Sequence, residues 1–158
     1  MKIVITTFTF TILLGIFSCK KSPNFTSSMP LGISAKINNV PWLATGYSVQ
    51  KSVATVGGSQ ILLRIKGYDS LYINSVNVER GIILSIDDLT NKTGTYSVTN
   101  TSNTSYYYAY PVWADASIGV ITLTKISSNN IQGTFSFTGS YGTTVYSITD
   151  GQFNLNLQ

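Results

Sequence analysis

From Ile33 onward the dominant spacing of apolar residues is every second position, in runs separated by turns, and this period limits the fold more than any other feature. Ile33, Ala35 and Ile37 alternate with Ser34, Lys36 and Asn38, and Ile61, Leu63 and Ile65 with Leu62, Arg64 and Lys66. The rhythm returns at Ile82, Leu84 and Ile86, at Tyr96 and Val98, and at Ile131, Gly133, Phe135 and Phe137. Phe153, Leu155 and Leu157 close the chain with Asn154 and Asn156 between them. Side chains on a strand point alternately to two faces, so each run offers one face to a core and the other to water. No window carries the roughly 3.6-residue stripe of an amphipathic helix.

Turn-forming residues separate the runs: Asn38-Asn39, Gly57-Gly58, Asn91 to Gly94, Ser127 to Asn130, and Asp150-Gly151. Asp150-Gly151 fits either a two-residue hairpin turn or a glycine bulge inside one long final strand. Only 10% of residues are charged, whereas helical surfaces draw on Glu, Lys and Arg, so composition also favours strands. The expected fold is all-β: an antiparallel β-sandwich of about nine short strands, with a closed lipocalin-like barrel as the alternative. The β-domain is expected to span 33–158 as one unit, a monomer, with Phe135, Phe137 and Trp42 in its core.

Chemistry-bearing residues are few. The chain has no histidine, which removes the commonest general base, the usual hydrolase dyads and the commonest zinc ligand. The acidic pair Asp87-Asp88 would point to opposite faces of a strand, and Asp87-x-Leu89-x-Asn91 breaks a calcium loop's oxygen pattern at its centre. Neither catalytic residues nor a metal or other cofactor is expected. The basic residues are dispersed singly along the domain rather than gathered, so nucleic acid is not an expected partner.

The most suggestive stretch is Tyr106-Tyr107-Tyr108-Ala109-Tyr110-Pro111-Val112-Trp113. If it is extended, Tyr106, Tyr108 and Tyr110 share a face and Tyr107 points the other way. Aromatic rings exposed in a row make a platform with hydroxyl handles, suited to stacking sugars or docking a protein. Tyr106, Tyr107, Tyr108, Tyr110 and Trp113 are therefore the candidate contact residues for a glycan or an envelope protein. At least two of the five are expected to be exposed and to form that surface; the competing reading is that one set fills the core and the rest covers an edge.

The first 18 residues have a different character. Lys2 precedes an apolar run from Ile3 to Phe17, the pattern of a signal peptide; at 15 residues it is shorter than the roughly 20 a membrane-spanning helix needs. Cys19, the only cysteine, follows Leu13-Leu14-Gly15-Ile16-Phe17-Ser18. A small residue followed by cysteine after such a leader resembles the lipobox of bacterial lipoproteins. The resemblance implies diacylglycerol on Cys19 and cleavage before it, and two acyl chains suffice for stable anchoring. A signal peptide cut elsewhere would leave Cys19 a spare thiol. Lys20 to Gly32, with Pro23, Pro30 and no periodicity, reads as a tether that could hold the domain roughly 40 Å from a bilayer.

Several segments in order extend the resemblance: Ala35-Lys36-Ile37-Asn38 with Pro41-Trp42-Leu43-Ala44, Thr93-Gly94-Thr95-Tyr96, Gly119 to Lys125, Ile131 to Phe137, and Thr149 to Phe153. Together these resemble a family of small Bacteroidetes lipoproteins with a β-rich domain of unknown function. The chain departs from it in the tyrosine-rich loop Asn100 to Ala116. Asp69-Ser70-Leu71 likewise resembles the O-glycosylation acceptor of that lineage, which would make Ser70 a modification site; the alternative is a polar turn. The resemblance implies a lipid-anchored envelope protein, at the outer membrane facing the periplasm or at the cell surface. The expected function is non-enzymatic binding or scaffolding, with a lipocalin-like carrier of a small apolar ligand as the alternative.

Overall fold

The computed structural model describes residues 29–54, 60–73, 75–87 and 92–157. The leader 1–18, Cys19, the tether up to residue 28, the Gly57-Gly58 turn and residues 88–91 lie outside the described residues. Ten strands follow one another among the described residues: β1 (Gly32–Ile37), β2 (Val40–Leu43), β3 (Gly46–Ala54), β4 (Gln60–Ile73), β5 (Val76–Ile86), β6 (Gly94–Thr99), β7 (Ser105–Ala109), β8 (Val112–Ile126), β9 (Asn130–Tyr141) and β10 (Thr144–Asn156). All their pairings are antiparallel.

The all-β class is as expected, but the strands form one continuous sheet rather than two packed ones. Its order is β2-β1-β10-β9-β8-β7-β5-β4-β3, curled into a half-barrel. One edge of β8 serves two partners: β7 takes Val112 to Asp115 and β6 takes Ile118 to Leu123. The curl follows from connectivity. β2 and β3 lie at opposite ends of the sheet, yet only Ala44 and Thr45 separate them, a reach of about 10 Å. The two ends must therefore come close where this connection crosses. Ala44 donates its N–H to Ile33 O at 3.0 Å, and Thr45 donates to Tyr68 O at 2.8 Å, which ties β1 and β4 across the seam.

Several strands are longer than expected, up to 15 residues in β8, because bulges let a long strand bend with the sheet instead of ending. The β8–β9 register shifts between Ala116 and Ile118 and between Leu123 and Lys125. β10 shifts between Ile148 and Gly151, with Asp150 at φ 51°. Asp150-Gly151 is thus a bulge within the final strand, and not a hairpin turn. Asn38 and Asn39, at φ 49° and 66°, make the tight β1–β2 turn in the left-handed conformation asparagine tolerates.

The concave face is filled by the residues of the period-two runs. Leu63, Ile65, Ile82, Ile121 and Leu155 are buried there together with Phe135 and Phe153, whose rings lie 6.3 Å apart. Phe137 and Trp42 are also core residues, and Leu157 is partly buried against the core cluster. One end of the interior closes with polar side chains. Arg80 on β5 donates from Nε and Nη2 to the carboxylate of Asp69 on β4, at 2.8 and 2.9 Å, and Tyr107 packs against Tyr146 with centroids 5.0 Å apart.

Candidate functional site

The site lies on the convex face of β3, β4, β5, β7 and β8, and register builds it. Gly46 pairs with Tyr68, Tyr68 with Gly81, Gly81 with Tyr108, and Tyr108 with Trp113. Residues in register across neighbouring strands share a face, so these five form one row running straight across the sheet. Glycine and tyrosine alternate along its first four positions, for a steric reason. A Cβ on Gly46 would lie 2.6 Å from Cζ of Tyr68, and one on Gly81 would lie 2.8 Å from Oη of Tyr108. The rings lie flat because the neighbouring strand presents bare backbone.

Two charged residues bind the row together. Lys66 and Glu79 stand on opposite sides of it, in the registers of Ile83 and Ser70. The lysine reaches between the rings, with Nζ 5.2 Å from the Tyr68 centroid and 5.3 Å from that of Tyr108, and donates to Glu79 Oε1 at 2.8 Å. Tyr108 Oη donates to the same oxygen at 2.7 Å. These two donors, Lys66 first, hold the Glu79 carboxyl below its ordinary pKa. Burial first, and the Glu79 contact second, push the Tyr108 hydroxyl up, so it stays a donor.

Trp113 completes the row by stacking on Tyr108, with centroids 5.3 Å apart and planes 20° apart, while remaining 51% exposed. Next to it Tyr110, 79% exposed, stands in the two-residue turn between β7 and β8, where the Tyr110–Pro111 peptide is cis. The β4–β5 hairpin projects beyond the end of β3, because Gly46 is the last β3 residue to pair and its partner is Tyr68. Val76 to Glu79 of that hairpin face Tyr108, Tyr110 and Trp113 across an open cleft of about 280 Å³. Its walls are apolar apart from the Glu79 carboxylate, the Asn77 amide and the tyrosine hydroxyls.

The five candidate contact residues therefore separate. The segment Asn100 to Ala116 is not one loop: it forms β7 and the start of β8. Tyr107 points into the core, and its hydroxyl is pushed up in pKa mainly by burial. Tyr108 is buried on the opposite face beneath Trp113, and Tyr106 is half-buried beside it. Tyr110 does not continue the row with Tyr106 and Tyr108, because the strand ends at Ala109. Tyr110 and Trp113 are the large exposed pair. Lys66, Tyr68, Glu79 and the two glycines were not among the candidates, although Tyr68 and Tyr72 fall on the polar phase of a period-two run, where a large aromatic residue is out of place.

Asp69-Ser70-Leu71 lies inside β4, not in a turn; Ser70 is exposed on the convex face, and Asp69 is engaged by Arg80 on the other. Asp87 serves the β7 connection: its carboxylate accepts the Asn103 N–H at 2.6 Å, while Asn103 Oδ1 accepts the Asp87 N–H at 3.0 Å. Among the described residues no helix is long and apolar enough to cross a membrane. Comparison with known proteins finds no matching family model, no similar curated protein and no similar solved structure.

Proposed function

We propose that this protein is a non-enzymatic binding or scaffolding module of the bacterial cell envelope, lipid-anchored through Cys19, which meets a glycan or another envelope protein with the convex face around Tyr110 and Trp113. One observation carries the contact surface: a large indole and a large phenol stand exposed on a rigid, hydrogen-bonded base instead of turning into the core. Exposed aromatic side chains cost solvation, and a contiguous group of them is a common mark of a contact site. The carrier alternative needs an unfilled interior; Phe135, Phe153 and Leu155 occupy the concave face, which favours the surface over the interior as the place of binding.

The anchor and the address rest on the leader, Cys19 and the ordered segments resembling small Bacteroidetes lipoproteins. The tether then sets the domain off the membrane, at the outer membrane facing the periplasm or at the cell surface, and Ser70 is the acceptor for an O-linked glycan. Radiolabelled palmitate and membrane fractionation of wild type and Cys19→Ala test the anchor. Label and membrane retention are expected for the wild type and lost in the variant; equal labelling of the two would end the reading.

A further inference from the structure

A second, separate cleft opens further along β7 and β8; it shares no lining residue with the first. It holds about 320 Å³ and is lined by Asn100, Thr104, Tyr106, Asp115, Ser117 and Ser140, among others. Tyr106 pairs with Asp115 two register steps beyond the Tyr108–Trp113 pair, on the same face, and Asp115 pairs in turn with Ser140. From Trp113 to Ser117 along one strand is about 13 Å, longer than a single sugar ring. The two clefts differ in chemistry: the first offers ring faces, the second hydroxyls, an amide and a carboxylate.

Charge narrows the ligand. Among the described residues neither cleft is lined by lysine or arginine, and each has a carboxylate on its wall, Glu79 in the first and Asp115 in the second. Lys66, beside the aromatic row, and Glu79 neutralise each other. A polyanion would then meet the Asp115 carboxylate with no cation on the lining of either cleft to receive it. A neutral sugar chain fits both parts, because its ring faces are apolar and stack on aromatic rings while its hydroxyls donate to carboxylates and amides.

We propose that the convex face binds a neutral oligosaccharide across two subsites, with sugar rings on Trp113 and Tyr110 in the first and hydroxyl contacts to Asp115, Asn100 and Tyr106 in the second. This deepens the contact-surface reading and rests on it. Trp113 supplies the stacking energy, and Asp115 selects for chain length by reaching only a ligand that extends past the first cleft.

The test is binding of the full-length chain to an array of neutral and acidic oligosaccharides graded from single sugars to hexamers. Neutral chains should be retained, and more tightly as they lengthen. Trp113→Ala should weaken binding at every length by roughly tenfold to a hundredfold, with Trp113→Phe retaining most of it. Asp115→Ala should weaken hexamers while leaving single sugars unchanged. A preference for acidic chains, affinity independent of length, or no retention of neutral chains would overturn the proposal. If neutral chains are not retained but Tyr110→Ala/Trp113→Ala still abolishes binding to isolated envelopes, the oligosaccharide falls and the contact surface stands. If envelope binding is also unaffected, both fall.

Discussion

Tyr108 Oη and Lys66 Nζ converge on one oxygen of Glu79, at 2.7 and 2.8 Å, so one carboxylate joins β4, β5 and β7 on the convex face. The arrangement links the aromatic row to pH. The folded-state pKa of Glu79 lies below the ordinary 4.5, so its contribution is present above that value and lost as pH falls through the folded pKa. The Lys66–Glu79 pair is half-exposed, which limits the contribution to about 1 kcal/mol. Denaturant unfolding of wild type and Glu79→Gln near neutral pH should favour the wild type, and the difference should vanish well below pH 4.5. A difference that persists in acid would mean the ionised carboxylate is not its source.

The glycines in the row give a steric prediction. Gly81→Ala puts a methyl group against Tyr108 and the Gly67 carbonyl oxygen, and backbone cannot swing aside as a ring can. Overpacking of this kind costs about 1–3 kcal/mol. Gly46→Ala meets only the Tyr68 ring among its nearest contacts, so it should cost less. Equal stability of all three proteins in thermal unfolding would show that the rings are not packed on the bare backbone.

On the concave face, Phe135→Ala removes a ring that is 3% exposed and stacked near Phe153. The expected loss is about 3–5 kcal/mol. Ser136→Ala, one residue on and facing outward, should change stability by less than about 0.5 kcal/mol. A Phe135→Ala loss below about 1 kcal/mol in denaturant titration would mean that the register of β9 is wrong.

Period two made much of this fold legible. A strand with one buried face must alternate, so Ile33, Leu63, Leu84, Phe135 and Phe153 could be assigned to the core without knowing their partners. Alternation says nothing about which strands pair, however. The half-barrel depends on β2 and β3 lying at opposite ends of the sheet with only Ala44 and Thr45 between them, a relation that appears once pairing is known. The bulges that lengthen β8 and β10 likewise disguise one strand as two short ones, since each shifts the phase of the pattern.

The site was legible in part for the same reason. Tyr110 and Trp113 belong to a conspicuous run, but their support comes from Tyr68, Lys66, Glu79 and Gly81, on strands that meet this one only through register. Parity also misplaced one residue. Tyr110 has the spacing to join Tyr106 and Tyr108, but the chain turns at that point, and a turn breaks the alternation that spacing assumes.

The most direct test of the central claim is binding of the full-length chain to isolated cell envelopes, wild type beside Tyr110→Ala/Trp113→Ala, with thermal unfolding of each as the control. Both side chains lie outside the core, Tyr110 largely and Trp113 about half in solvent, so the domain should stay folded with only a small drop in melting temperature from the lost Trp113–Tyr108 stacking, while binding weakens by about 1–3 kcal/mol for each ring removed. A variant that binds as tightly as the wild type, or that loses binding only because it unfolds, would contradict the claim that this face is a contact surface.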